Sequence, residues 1–280
     1  MIPEFHYQVS WRSPGILPGH HRGTQHGTSH EFAGYALLTA HPDPRSLDIR
    51  ATLHDPFGQL MVRTFRQRSA IPVYVIADLS ASMGFRGTTS KTRLLAEFTA
   101  SVAYSAYRTG DLFGFIACDS AIRWDLFLPL RWHKGAAAEL LETLGNFYPR
   151  GRSSDGLNEV APHLGKQKAL VFLVSDFHFS FDRLDTVLDS LVRHDVVPVV
   201  LWDSAEFDRL PSWGLIYLKD PETGIRRRLF MRPALREKIR ASFEQRRDDL
   251  ERICALHGRE PFFLKDRFDP DDLTRYFYRA

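Results

Sequence analysis

The chain has 280 residues, room for one large α/β domain with additions or two modest ones, and its 44% hydrophobic and 25% charged content is that of a globular protein with a sizeable core. A net charge of +3 demands no polyanionic partner. No apolar run approaches the ~18 residues that span a bilayer, no basic-then-apolar leader opens the chain, and Cys118 and Cys254 lack metal or redox spacing, so a reduced, cytoplasmic protein is expected.

Residues 1 to about 34 are rich in Gly, Pro and His. His20, His21, His26 and His30 come with no cysteine and no recognisable helix, which favours loop or edge-strand roles over a zinc site. Short strand-like pieces follow at Tyr35–Leu38, Leu47–Leu53 and Leu60–Phe65, broken by His-Pro-Asp-Pro and Asp-Pro-Phe-Gly turns. They predict a small β-rich extension over residues 1–70.

The stretch Val73 to Met83 reads as a buried parallel strand followed by a loop carrying Asp78, Ser80 and Ser82. In an open α/β sheet, ligands lie beyond the carboxyl ends of strands, so these three oxygens are placed where a ligand is expected. Alternate residues of an extended loop share a side, which lets them converge. Hard oxygen donors of this kind suit Mg²⁺, Ca²⁺ or Mn²⁺; the alternative for such a string is a helix cap or turn.

Ser90 is positioned to cap a helix running to about Arg108, with Leu95, Phe98, Val102 and Ala106 at core spacing. Leu112–Cys118 reads as a second strand, Ile122–Phe127 as an antiparallel edge piece and Ala136–Asn146 as a helix. Leu170–Val174, ending in Ser175-Asp176, and Val196–Leu201, ending in Trp202-Asp203, complete a mostly parallel, doubly wound sheet with helices on both faces. Asp176 then faces Asp78 across the crevice, and the glycine-bounded loop Gly151-Arg152-Ser153-Ser154-Asp155-Gly156 offers another hydroxyl. Two close carboxylates repel unless a cation lies between them, a physical reason for a metal here. Ten basic and five acidic residues from Arg226 to Arg252 surround an apolar stripe of Leu235, Ile239, Phe243, Leu250 and Ile253, which reads as a core-facing helix with a solvated basic face.

Asp78-Leu-Ser80-Ala-Ser82-Met83, the Ser154-Asp155 loop and Leu-Val-Ser-Asp176 resemble the metal-ion-dependent adhesion site of von Willebrand factor A domains. Asp43-Pro44-Arg45-Ser46-Leu47-Asp48-Ile49, Leu60-Met-Val-Arg63-Thr-Phe65, Asp220-Pro-Glu222-Thr223-Gly224 and the basic helix Arg232–Ile253 extend the resemblance to the bacterial family encoded beside MoxR-type AAA+ ATPases, long catalogued as a domain of unknown function. The likeness spans about residues 30 to 275. Met83-Gly84-Phe85-Arg86-Gly87 and the His-rich start resemble the MxaS-type members linked to methanol oxidation. Ile49 stands where the family has Trp, Ser154 where it has Thr, and the usual N-terminal transmembrane pair is not found.

The resemblance implies an α/β domain of von Willebrand type at residues 71–218, completed by a C-terminal strand and basic helix at 219–280. It implies a binding module and no catalyst. Asp78, Ser80, Ser82, Ser154 and Asp176 would hold Mg²⁺, with Ca²⁺ or Mn²⁺ as alternatives. Met83, Arg86 and Asp155 would face the partner, a client protein that completes the metal shell with an Asp or Glu. The MoxR-type ATPase would supply energy for assembly, maturation or metallation of that client, a methanol dehydrogenase system being one candidate. Two other functions are weighed against this. A Mg²⁺-dependent phosphohydrolase would need a proton-handling group where Ser80 stands and a phosphate-cradling loop that is missing. A nucleic-acid binder through the basic helix lacks any recognised motif.

Overall fold

In the computed structural model, which describes residues 2–15, 17–219 and 226–279, the chain divides into two compact units. Met1–Tyr7, Pro72–Arg108 and Leu112–Ala280 form the larger, and Gln8–Ile71 with Thr109–Asp111 the smaller.

The smaller unit is built on β1 (Pro18–Leu37), paired antiparallel with β2 (Met61–Ser69). Between them lies α1 (Ile49–His54), where the apolar spacing of Leu47–Leu53 predicts a strand. Asp48 explains the difference. Its Oδ1 accepts the Ala51 N–H at 3.0 Å and its carbonyl accepts the Thr52 hydroxyl at 2.8 Å, so a local N-cap overrides strand propensity. His21 is buried, with Nε2 2.8 Å from Asp111 Oδ2, while Asp111 Oδ1 accepts the Ile71 N–H at 2.8 Å. That histidine therefore ties the chain together; the side chains of His26 and His30 lie outside the described residues.

In the larger unit the chain runs β3 (Pro72–Asp78), α2 (Lys91–Thr109), β4 (Leu112–Cys118), β5 (Leu128–Arg131), α3 (Ala136–Gly145), β6 (Leu170–Ser175), α4 (Phe181–Ser190) and β7 (Asp195–Trp202). It continues through the hairpin β8 (Gly214–Lys219) and β9 (Arg226–Met231), then α5 (Pro233–Leu256), β10 (Phe262–Lys265) and α6 (Pro270–Tyr278). The main sheet has the order β10-β7-β6-β3-β4-β5, and every pair is parallel except β4 with β5. This is the doubly wound α/β architecture that the alternation of buried strands and helices predicts. Strand order reverses between β3 and β6, so the carboxyl ends of these two strands flank the crevice in which such sheets bind ligands.

All seven residues of β3 are buried, as a strand covered on both faces requires. Alternate residues of β6 serve opposite faces. Phe172 meets Phe98 of α2 at 5.5 Å and Phe277 of α6 at 6.0 Å between ring centroids, both edge-on. Val171 and Leu173 join the cluster containing Leu184 and Val187 of α4 and Leu250 and Cys254 of α5. Burying each large apolar side chain contributes about 2 kcal/mol. The α5 stripe is core only in its second half: Leu250 is buried, Phe243 and Ile253 pack half-buried against the same cluster, and Leu235 and Ile239 are half-buried outside it; Phe243 stacks on Phe207 at 4.7 Å and meets Trp202 at 5.4 Å.

Three elements depart from expectation. Of the expected edge piece Ile122–Phe127, Ile122 bridges Cys118 of β4 antiparallel, but the chain then turns through Trp124–Leu126, where Arg123 pairs with Asp125 at 2.8 Å, and the edge strand proper begins at Leu128. The β8–β9 hairpin and the β10–α6 segment add structure where a tail of one strand and one helix is predicted; β10 extends the main sheet parallel to β7. Asp220 to Gly224 lies outside the described residues. Among the described residues no helix is long and apolar enough to cross a membrane.

Candidate metal and partner site

Asp78 ends β3, fully buried, with its Cα paired in register with Cys118 of β4. Its Oδ1 accepts the Ser80 N–H at 2.8 Å and its Oδ2 accepts the Ser175 hydroxyl at 2.7 Å. The Ser80 and Ser82 hydroxyl oxygens lie 3.2 Å apart, and the Ser82 side chain helps hold down the carboxyl of Asp176, just beyond β6. Asp78, Ser80, Ser82 and Asp176 thus gather hard oxygens at the ends of β3 and β6, the two carboxylates close enough to feel each other's charge. Burial, and secondly the charge of Asp176, pushes the Asp78 carboxyl up to about 6.

Asp176 behaves differently because it has a cation of its own. Burial acts to raise its carboxyl, but the Lys91 ammonium, with help from His178 and Ser82, outweighs burial and holds it at about 2. Lys91 is the first residue of α2 and has no solvent exposure. Its Nζ donates to Asp176 Oδ2 at 3.0 Å and to Glu206 Oε1 at 2.8 Å. Glu206 in turn accepts the Asp203 N–H at 3.1 Å through Oε2, closing a capping box at the end of β7. Residue type alone gives no hint of Lys91 or Glu206: a lysine at a helix start is usually solvated.

The loops carrying these groups are held by the surrounding chain. Phe177 has φ 52°, an uncommon conformation for a side chain of its size. Arg246 of α5 supports it by donating Nε to the Phe177 carbonyl at 3.0 Å and Nη2 to the Phe179 carbonyl at 2.6 Å. Trp202 Nε1 donates to the Asp176 carbonyl at 3.0 Å. On the other side, Asp203 accepts the N–H groups of Thr88 and Thr89, each at 2.9 Å, and fixes the connection that leads into Lys91.

The second loop reaches the first through a bridge between Ser80 and Gly151, with the Ala81 N–H donating to the Gly151 carbonyl at 2.8 Å. Glycine is required there because a Cβ at Gly151 would lie 2.3 Å from that of Asp119, and one at Gly156 would lie 2.6 Å from the Ala121 carbonyl carbon. Ser154 is buried on this loop, but its hydroxyl accepts from Arg183 Nη1 at 3.2 Å and makes no bond within the Asp78 set. Arg183 also pairs with Asp155 at 2.6 Å. Of the three residues expected to face a partner, Asp155 and Arg86 are exposed, Arg86 stacking 5.8 Å over the Tyr148 ring. Met83 is not: it is fully buried, because the turn Ala81–Gly84 folds this apolar side chain inward.

The donor chemistry fits a hard divalent ion. Two buried carboxylates raise each other's cost of ionisation beside two serine hydroxyls, the situation a small oxygen-preferring cation relieves. Among the described residues no group of three or more His, Cys, Asp or Glu side chains is placed to hold a metal; serine hydroxyls make up the balance here.

A family model described as "Protein of unknown function DUF58" matches residues 43–249. An uncharacterized protein in the moxR 3' region of Paracoccus denitrificans is 37% identical over 102 residues, covering 36% of this chain and 97% of that protein. An uncharacterized protein of Mycobacterium tuberculosis is 23% identical over 276 residues, covering 96% of this chain and 85% of the other. Among solved structures, an aerotolerance-related membrane protein from Bacteroides fragilis aligns over 74% of this chain and 96% of its own, at 12% identity and a TM-score of 0.42.

Proposed function

The chain belongs to the DUF58 family, and on that footing we propose that it is a metal-dependent protein-binding adaptor working with a MoxR-type AAA+ ATPase. The observation that carries this is the pair of buried carboxylates, Asp78 and Asp176, with the Ser80 and Ser82 hydroxyls beside them, at the point where strand order reverses. Asp78, Ser80, Ser82 and Asp176, with Ser154 from the neighbouring loop, would hold Mg²⁺, or Ca²⁺ or Mn²⁺. When bound, the ion supplies a coordination position open to a carboxylate of the client.

The protein's own residues prepare that contact. Trp202 holds the Asp176 carbonyl and Arg246 the Phe177 carbonyl beside it, Asp203 holds the connection leading into Lys91, and the Gly151 bridge keeps the second loop against Ser80. Exposed Arg86 and Asp155 flank these loops as partner contacts. The ATPase enters by likeness to the Paracoccus protein, whose own name places it in a moxR 3' region. In this proposal the chain catalyses no reaction and acts in the cytoplasm, and the ATPase drives assembly or metallation of the client. A methanol dehydrogenase system is the client that the MxaS-type likeness favours.

The test is retention of the purified MoxR-type ATPase from the same genome, and of its clients, on the immobilised chain. Retention in Mg²⁺, lost in chelator and in a folded Asp78→Ala variant, is expected. Equal retention in all three would remove the metal from the contact.

A further inference from the structure

We propose that the Lys91 ammonium is a built-in counter-ion of this site, one that weakens its hold on a divalent ion and strengthens the loaded site's hold on a partner carboxylate. The inference rests on the metal-site assignment above and adds a residue that sets its balance.

Lysine is almost never fully buried unless paired, and Lys91 is paired twice, to Asp176 Oδ2 at 3.0 Å and to Glu206 Oε1 at 2.8 Å. It has no freedom to extend its ammonium to solvent. The Lys91 N–H donates to the Phe85 carbonyl at 3.3 Å, the ammonium lies 5.6 Å from the Phe85 ring centroid, and the preceding turn is anchored on Asp203. The carboxylate that an ion would share is therefore already occupied on one oxygen by a fixed positive charge.

Counting charges among the buried side chains of the site gives the direction of each effect. Asp78, Asp176 and Glu206 contribute three negative charges and Lys91 one positive. Arg246 acts on Asp176 only through space, since its donors go to carbonyls. With a neutral imidazole at His178, which lies 3.8 Å from Glu206 Oε1, a divalent ion brings this set to neutrality; a protonated one adds a positive charge with and without Lys91 alike. Without Lys91 the empty set would carry one more negative charge and attract the ion more strongly. The same loaded set would then be net negative and would repel an incoming carboxylate. In a buried site of low effective dielectric these Coulomb differences are large.

The two effects have opposite signs, which separates them from a merely structural role. Mn²⁺ is titrated by calorimetry and electron paramagnetic resonance into the full-length wild type, Lys91→Met and Asp78→Asn. N-acetylglutamate is then titrated into the Mn²⁺-saturated proteins. Lys91→Met is expected to bind Mn²⁺ at least tenfold more tightly and N-acetylglutamate at least threefold more weakly than wild type, while Asp78→Asn binds no Mn²⁺. If Lys91→Met fails to melt cooperatively, Lys91→Gln, which removes the same charge but keeps a side-chain donor for Asp176 or Glu206, is read the same way. Wild-type binding lost in Asp78→Asn but unchanged without Lys91 would overturn the Lys91 assignment and leave the metal site standing. Binding only when Lys91 is removed would support Lys91 as counter-ion and overturn the wild type as an ion carrier. No binding in any variant would overturn both.

Discussion

At the carboxyl end of β7, Asp203 accepts three backbone N–H groups, from Thr88 and Thr89 at 2.9 Å and from Ala205 at 2.8 Å. At the end of β3, Asp78 accepts one N–H and one hydroxyl and lies under the charge of a second carboxylate. Both side chains are buried in the same sheet. Burial acts to raise the Asp203 carboxyl, yet the Thr89, Thr88 and Ala205 donors outweigh it and hold it below the usual carboxylate range, whereas burial and Asp176 push Asp78 up to about 6. An aspartate supplied by backbone donors fastens a loop. One that faces another carboxylate keeps acceptor capacity and has reason to take a cation.

Substitution at each end tests that division. Asp78→Asn is expected to abolish the rise in melting temperature that Mg²⁺ causes and to weaken partner retention at least 100-fold. At pH 4 in chelator, where Asp78 is protonated, unfolding free energy should change by no more than about 1 kcal/mol, since one carbonyl oxygen still accepts the Ser80 N–H. Asp203→Ala should do the reverse, costing about 3 kcal/mol in urea denaturation because it strands several donors and removes a capping box. A loss of less than about 1 kcal/mol would erase the contrast.

The pH dependence sharpens it further. In chelator, the folded state holds the Asp78 proton more tightly than the unfolded state, whose value is near 3.8. That contribution to stability is complete below the unfolded value and is lost as pH rises through about 6. Asp176 runs oppositely, its contribution being lost as pH falls from 3.8 towards about 2. Between pH 4 and 6, therefore, wild type should lose stability relative to Asp78→Asn, and saturating Mg²⁺ should remove the difference. The smallest effect is expected at Asp155, whose exposed pair with Arg183 is worth less than about 0.5 kcal/mol in thermal melts of Asp155→Ala.

Strands β3, β4, β6 and β7 were legible because each is a continuous apolar run, and Asp78, Ser80, Ser82 and Asp176 because each follows one. The Ser154 loop was marked by its two glycines, both of which close approach requires. Lys91 and Glu206 were not legible: only the packing of the β7 end against the start of α2 turns two ordinary surface residue types into a buried pair. Met83 misleads for the same reason, since nothing local says that its loop turns inward. At α1 a single cap from Asp48 decided between helix and strand, a choice that apolar spacing does not make.

The central place of β3 has a consequence for synthesis on the ribosome. Val73 pairs with Phe113 on one side and with Leu170 on the other, so the strand that begins the site is completed only by partners made much later. Such long-range parallel pairing must pay for loop closure before its contacts form. Asp176 follows β6, and Glu206, which completes the seat of Lys91, follows β7. A nascent chain therefore has no finished site until Glu206 has been made, and any contact that needs the assembled site waits for that residue.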